Sequence, residues 1–280
     1  LCFTPFLDSL SKHSLLWTNC LATTPRSFGA VPAITGSVPH GLKGFQFGNI
    51  PSHNSLLSVL KVNGFQTGAF YAGNFSFDRI YDYLIAQNID YMSPFCEEYR
   101  SVKAEERDGT YWGFNDDVLF QKSLAVVSKR DTIKPFVDLY VTITQHEDLN
   151  LLDKQLEKEY YRRAEQIVNA GSVATKNLLR SRIGKLAATL YTDESIKHLI
   201  QGYMSLNIGE NTIFVITGDH SMNIDVENPL DSYHVPLIIW SPLLQRTQHF
   251  KSVVSHLDIT PSLISLLENS YGMNKLKTVH

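Results

Sequence analysis

The chain has 280 residues, with 43% hydrophobic and 19% charged content and a formal net charge of −3. That profile describes a globular protein able to bury a sizeable core, and it excludes both a disordered chain and a basic field of the kind that binds nucleic acid. The three cysteines, Cys2, Cys20 and Cys96, lack metal-ligand spacing and are odd in number, which argues against a disulfide framework, and no apolar run reaches the ~18 residues of a membrane-spanning helix.

In chain order, TPFLDSLSKHS (4–14) predicts a helix, with Phe6, Leu7 and Leu10 at helical spacing after a Thr-Pro start. LATTPRSFGAVPAITGS (21–37) follows and offers the hydroxyls of Thr23, Thr24 and Ser27 beside Arg26. HNSLLSVLKVNG (53–64) reads as a helix stopped by Asn-Gly. TGAFYAG (67–73), FVDLYVTIT (136–144), TIFVITG (212–218) and HVPLIIWSP (234–242) are strand-sized and almost continuously apolar, as strands buried on both faces of a parallel sheet must be. Between them, the polar stretch 93–116, punctuated by Gly and Pro, reads as a surface excursion. LDKQLEKEYYRRAEQIVNAG (152–171) is a long amphipathic helix, and DESIKHLIQGYMSL (193–206) a helix with an acidic first turn. DITPSLISLLEN (258–269) is the final helix. Strands alternating with helices predict one α/β domain over 1–280, with a mostly parallel central sheet flanked by helices on both faces.

In open parallel sheets, ligands bind beyond the carboxyl ends of the strands. Asp219 and His220 follow the 212–218 strand, His146 follows the 136–144 strand, and Asn74, Phe77, Asp78 and Arg79 follow the 67–73 strand. His234 stands just before PLIIW. Asp219-His220 pairs a hard oxygen with an imidazole nitrogen, suited to Zn²⁺ or Mn²⁺, with Mg²⁺ a further candidate. Taken singly, each has an ordinary explanation: a capping aspartate, a hydrogen-bonded loop histidine, a surface arginine. Their common place at strand ends is what argues for a site.

TPFLDSL, the Thr/Arg/Ser cluster, AITGSVP, TGDHSMN, HVPLIIWSP and SHLDITPSL, in this order, resemble the sulfatase-like branch of the alkaline phosphatase superfamily. The likeness is nearest to its phosphoglycerol and phosphoethanolamine transferases and lipoteichoic acid synthases. It implies an alkaline phosphatase-like fold and makes Asp219 and His220 metal ligands, with His234 an accessory one. It makes Ser27 the nucleophile, with Thr24 as second choice, and gives His146 a role at the phosphoryl or leaving group. Phe77 and Arg79 of GNFSFDR would contact the substrate, Arg26 would add to phosphate binding, and WGFNDD (112–117) would be a structural turn. The implied reaction is metal-dependent transfer of a phosphoryl-linked headgroup from a phospholipid donor to a glycan or lipid acceptor, through a covalent phospho-Ser intermediate.

The resemblance further implies a membrane-tethered domain facing the periplasm or outside, anchored by segments absent from this chain. It also implies a metal-binding acid at the end of a first strand upstream of TPFLDSL, where the sequence in hand does not reach. A sulfatase reading meets the objection that TTPRSF lacks the C/S-x-P-S/T-R order needed for formylglycine, with no cysteine nearer than Cys20. A phosphodiesterase or phosphatase on the same fold stays open, as does an inactive binding or scaffold domain.

Overall fold

Leu15, Leu16 and Trp17 open a strand that sequence patterning passed over, because Thr18 and Asn19 interrupt its apolar run. In the computed structural model, which describes residues 1–39, 49–222, 228–270 and 276–278, this strand, β1 (Leu15–Leu21), is an interior strand of a four-stranded sheet. Asn223, the last residue of TGDHSMN, lies outside the described residues. β1 pairs parallel with β7 (Gln248–Ser255), where Trp17 stacks on Phe250 at 4.5 Å. On its other side it pairs antiparallel with β6 (His234–Trp240), which in turn pairs antiparallel with β5 (Phe214–Thr217).

A second sheet has the order β3-β2-β4, all parallel, from β2 (Gln66–Tyr71), β3 (Tyr91–Met92) and β4 (Phe136–Val141). The α/β class is as expected. Parallel ladders predominate, and the antiparallel ladders of β6 make the first sheet mixed. Neither Gln248–Ser255, largely exposed and polar, nor the two-residue β3 carries the apolar run by which buried strands are recognised.

Helices α1 (Pro5–Ser11), α2 (Ala30–Gly36), α3 (Leu56–Val62), α4 (Ile80–Ala86), α5 (Phe95–Ser101) and α6 (Asp116–Val127) are followed by α7 (Lys154–Asn169), α8 (Val173–Leu179), α9 (Ile183–Ser205) and α10 (Ile259–Ser270). Ile34 of α2 and Ile259 and Leu263 of α10 pack with Cys20, Val235 and Leu237 of the first sheet. The larger core joins Phe70 and Ala69 of β2 to Leu84 of α4, Phe95 of α5, Leu119 and Phe120 of α6 and Tyr203 of α9. α9 begins ten residues ahead of the acidic turn expected to start it, since nothing between Ile183 and Asp193 breaks a helix. Asp193 is therefore interior to α9, where its buried carboxylate accepts the Phe6 and Leu7 amides at 2.8 and 2.9 Å and caps α1 across space.

Candidate active site

Three connections converge on one rim. β1 runs through Ala22, whose amide donates to the Tyr233 carbonyl at 2.7 Å, into Thr23-Thr24-Pro25-Arg26. Arg26 is extended (φ −144°, ψ 149°) and exposed, and Ser27 then opens a single 3-10 turn, Ser27–Gly29, that continues as α2. β5 ends at Thr217 and releases Gly218, Asp219 and His220. β2 ends at Tyr71, and the chain turns through the 3-10 segment Phe77–Arg79, which lies against the Ser27 turn.

The Nδ1–H of His220 donates to the Ser221 carbonyl at 2.7 Å, a partner that assigns the tautomer and leaves the lone pair on Nε2. That Nε2 faces Ser27 Oγ at 3.4 Å and Asp219 Oδ2 at 3.5 Å. The His220 amide donates to Asp219 Oδ1 at 2.9 Å, and the Ser221 hydroxyl to the Ser232 carbonyl at 2.6 Å, so the loop is fastened on both sides of the imidazole. Ser27 is thus the hydroxyl that meets the Asp-His pair. Thr24, three residues earlier, is 4% exposed, and Thr23 Oγ1 is buried without a partner among the described residues.

The electrostatics tie the strand ends together. The Tyr71 phenol is pushed up to about 12, first by burial and then by Cys96 and the carboxylates of Asp78 and Asp219. Asp78 and Arg79 both adopt left-handed backbone (φ 52° and 59°), a conformation costing roughly 1–2 kcal/mol for a residue with a Cβ. Arg79 donates through Nε to Asp82 of α4 at 2.8 Å, which fixes its guanidinium at the start of that helix. Strain of this kind, held in place by the fold, gathers at functional sites.

Sequence reasoning missed His256. It is fully buried under the rim, with Nε2 at 2.9 Å from the Gly218 carbonyl and Nδ1 unpartnered among the described residues. Burial lowers its pKa, while the Gly218 carbonyl and the Asp219 carboxylate act the other way. Also missed was the function of Asp116 inside the expected structural turn. Fully buried, its Oδ1 accepts the Ile143 and Thr144 amides at 2.8 and 3.1 Å, and its Oδ2 the Thr192 hydroxyl at 2.6 Å. These bonds pin the 3-10 turn Thr144–His146 that carries the exposed His146. The imidazole of His146 lies 6.1 Å from the Trp112 ring, itself 6.1 Å from Phe77.

Asp219 Oδ2, His220 Nε2 and Ser27 Oγ are donor types that suit a divalent ion. The donor number falls short: among the described residues no three of His, Cys, Asp and Glu stand together as a metal-holding group. His234 is accordingly not gathered with Asp219 and His220. It opens β6 with an exposed side chain, its register partner being Leu21 of β1.

The Sulfatase family model matches residues 2–270. The chain belongs to the Sulfatase family. An ulvan-active sulfatase of Formosa agariphila is 26% identical, over 94% of this chain and 56% of its own length. Among solved structures, the lipoteichoic acid synthase LtaP of Listeria monocytogenes aligns with a TM-score of 0.75 at 19% identity, covering 95% of this chain and 66% of that one. A protein of the alkaline phosphatase superfamily from Vibrio parahaemolyticus gives 0.68 at 21%, covering 95% and 60%. The phosphonate monoester hydrolase of Agrobacterium radiobacter gives 0.67 at 14%, covering 98% and 69%. This family placement bears out the resemblance to the sulfatase-like branch, and the structural matches bear out its fold. The chain spans about half the length of its curated relative. Sulfatases stand beside a lipoteichoic acid synthase among its relatives, so the motif objection to a sulfatase does not set that activity aside.

Proposed function

We propose that this chain transfers a phosphoryl-type group from an ester through a covalent intermediate on Ser27. The observation that carries the reading is the convergence of Ser27 Oγ and Asp219 Oδ2 on His220 Nε2, at 3.4 and 3.5 Å. As Ser27 Oγ forms its bond to phosphorus, the bond from phosphorus to the leaving oxygen breaks, and the hydroxyl proton passes to the Nε2 lone pair. Arg79 and Arg26 offset charge on the remaining oxygens, and His146 orients the leaving group. Water or an acceptor hydroxyl then attacks the phospho-Ser: the bond from phosphorus to Ser27 Oγ breaks, Nε2 returns its proton to Ser27, and the proton the attacker releases replaces the one that the departed leaving oxygen takes from solvent. A divalent ion held by Asp219 and His220 would occupy the Nε2 lone pair in place of the proton, and would supply positive charge next to the serine oxygen that favours loss of its proton to solvent.

The short donor set calls for a further carboxylate, and the sheet offers a place for it. β4 and β5 each end a sheet among the described residues, half-buried along their length and bridged by Tyr203. A strand seated on these edges, with an acid at its carboxyl end, would complete the set. Headgroup transfer from a phospholipid to a glycan or lipid, by a domain tethered at the outer face of a membrane, is the specific form of the reaction supported by the fold shared with LtaP. No described helix is long and apolar enough to cross a membrane.

Sulfate-ester hydrolysis is the second reading, favoured by the likeness to the ulvan-active sulfatase. The test is turnover of bis(4-nitrophenyl) phosphate and 4-nitrophenyl sulfate with added Zn²⁺, Mn²⁺ or Mg²⁺, together with mass spectrometry of the Ser27 peptide. A phosphoryl adduct that vanishes in Ser27→Ala is the expected result. An unmodified peptide with turnover unchanged in Ser27→Ala would overturn the mechanism, and turnover of the sulfate alone would select the second reading.

A further inference from the structure

A tight turn beside this rim shows a pattern that folding does not explain. Gly109 and Phe114 form an antiparallel bridge, and the Thr110 amide donates to the Gly113 carbonyl at 2.8 Å, leaving Tyr111 and Trp112 at the tip. Such tips ordinarily carry Gly, Asn, Asp or Ser. Here Tyr111 is 83% and Trp112 44% exposed, and neither belongs to any hydrophobic cluster of the core.

The turn is nonetheless held firmly. Tyr99 donates its hydroxyl to the Thr110 carbonyl at 2.5 Å, the Trp112 amide donates to Thr110 Oγ1 at 3.0 Å, and the Tyr111 amide to Glu147 at 3.2 Å. Gly113 lies so close to the end of β2 that a Cβ there would stand 2.2 Å from the Ala72 carbonyl oxygen. The result is a fixed row of rings: Phe77, then Trp112 at 6.1 Å, then the His146 imidazole at 6.1 Å, with Tyr111 edge-on to Trp112 at 5.4 Å and 88°. Phe77 belongs to the segment that packs on the Ser27 turn.

We propose that the Tyr111-Trp112 turn is a stacking platform for a sugar ring of the substrate, which places its ester at Ser27. The inference rests on the reading of Ser27 given above. A pyranose has an apolar C–H face and a polar rim, and the surroundings match both. The exposed indole offers the flat face, while His146, 6.1 Å from the Trp112 ring, and Glu147, which accepts the Tyr111 amide, border the turn with hydrogen-bonding groups. An acyl chain would need a continuous apolar groove, whereas Tyr111 and Trp112 stand exposed at the tip of a turn.

Saturation-transfer NMR on the full chain tests the platform with N-acetylglucosamine 6-phosphate, glucose 6-sulfate and, as a ring-free control, sn-glycerol 3-phosphate. The expected result is saturation of ring C–H protons by the wild type. Trp112→Ala should weaken binding of the two sugar esters about tenfold, Trp112→Phe should keep most of it, and the glycerol ester should be unaffected. Three results would each overturn the platform: no ring saturation, equal affinity in wild type and Trp112→Ala, or equal weakening of the glycerol ester. Ser27→Ala in the same series separates the two ideas. Turnover surviving that change removes the nucleophile assignment, while ring saturation lost only with Trp112 keeps the platform.

Discussion

At the scale of single residues, the assignment of Ser27 over Thr24 turns on one atom. His220 commits Nδ1 to the Ser221 carbonyl, so its only lone pair points to Ser27. Ser27→Ala should therefore lower turnover about a thousandfold or more, whereas Thr24→Ser should stay within a few fold, as read from initial rates on the phosphodiester. The resemblance of the Arg-Ser order in TTPRSF to the family's nucleophile segment pointed to Ser27. The contact that ranks the two hydroxyls depends on how β1 and β5 are brought side by side through β6, which no local pattern encodes. Cysteine chemistry can be predicted at the same scale. Cys20 is wholly buried in β1, and burial pushes its thiol up to about 11; Cys96 is also buried with its pKa raised, while Cys2 is exposed. A thiol-labelling reagent at about pH 8 should modify one cysteine in the native chain, and the remaining two only in denaturant.

At the scale of elements, the turn bearing His146 depends on a carboxylate far away in sequence. Asp116 accepts two amides of that turn and a hydroxyl of α9, so Asp116→Ala leaves buried donors unpaired at about 1–3 kcal/mol each. Turnover should fall with stability, and chemical denaturation separates the two effects. Burial raises the Asp116 pKa above its ordinary 3.8, although the hydrogen bonds from Thr192, Ile143 and Thr144 oppose it. A raised native pKa means that the folded state holds the proton more tightly than the unfolded chain. The stability from this group is thus full below the ordinary value and declines as pH rises through the raised one. Asp116→Asn does not titrate, so its stability relative to wild type should improve as pH rises above the ordinary carboxylate value of 3.8. The sequence pointed to WGFNDD as a turn with a structural role, and the residue that performs that role is legible only once α6, α9 and the His146 turn are in contact. Gly113→Ala tests the neighbouring turn. Its Cβ would meet the Ala72 carbonyl, so the aromatic tip must shift, at about 1–3 kcal/mol of stability.

At the scale of the whole molecule, the four strands legible from sequence were those with near-continuous apolar runs. β1 and β7 escaped because Thr-Asn in one and exposed polar residues in the other hide the pattern. The rim was predictable because strand ends gather ligands in this class of fold, but its donor count was not. The same topology makes a physical demand. β4 and β5 carry Phe136, Leu139, Tyr140, Val141, Phe214, Val215 and Ile216, a composition suited to strands covered on every side, yet each has a ladder partner on one edge only among the described residues. Tyr203 reaches both, with its hydroxyl 2.8 Å from Tyr140 and its ring 5.5 Å from Phe214. Unpaired apolar edges recruit further strands. Amide hydrogen exchange on this chain should show full protection along β1 and β2, which are paired on both sides, and alternating fast and slow amides along β4 and β5. A longer chain that adds a strand here should convert the fast amides to slow ones and tighten Zn²⁺ binding at Asp219 and His220 in isothermal titration. Protection of β4 and β5 without that tightening would show that the added strand completes the sheet but not the donor set.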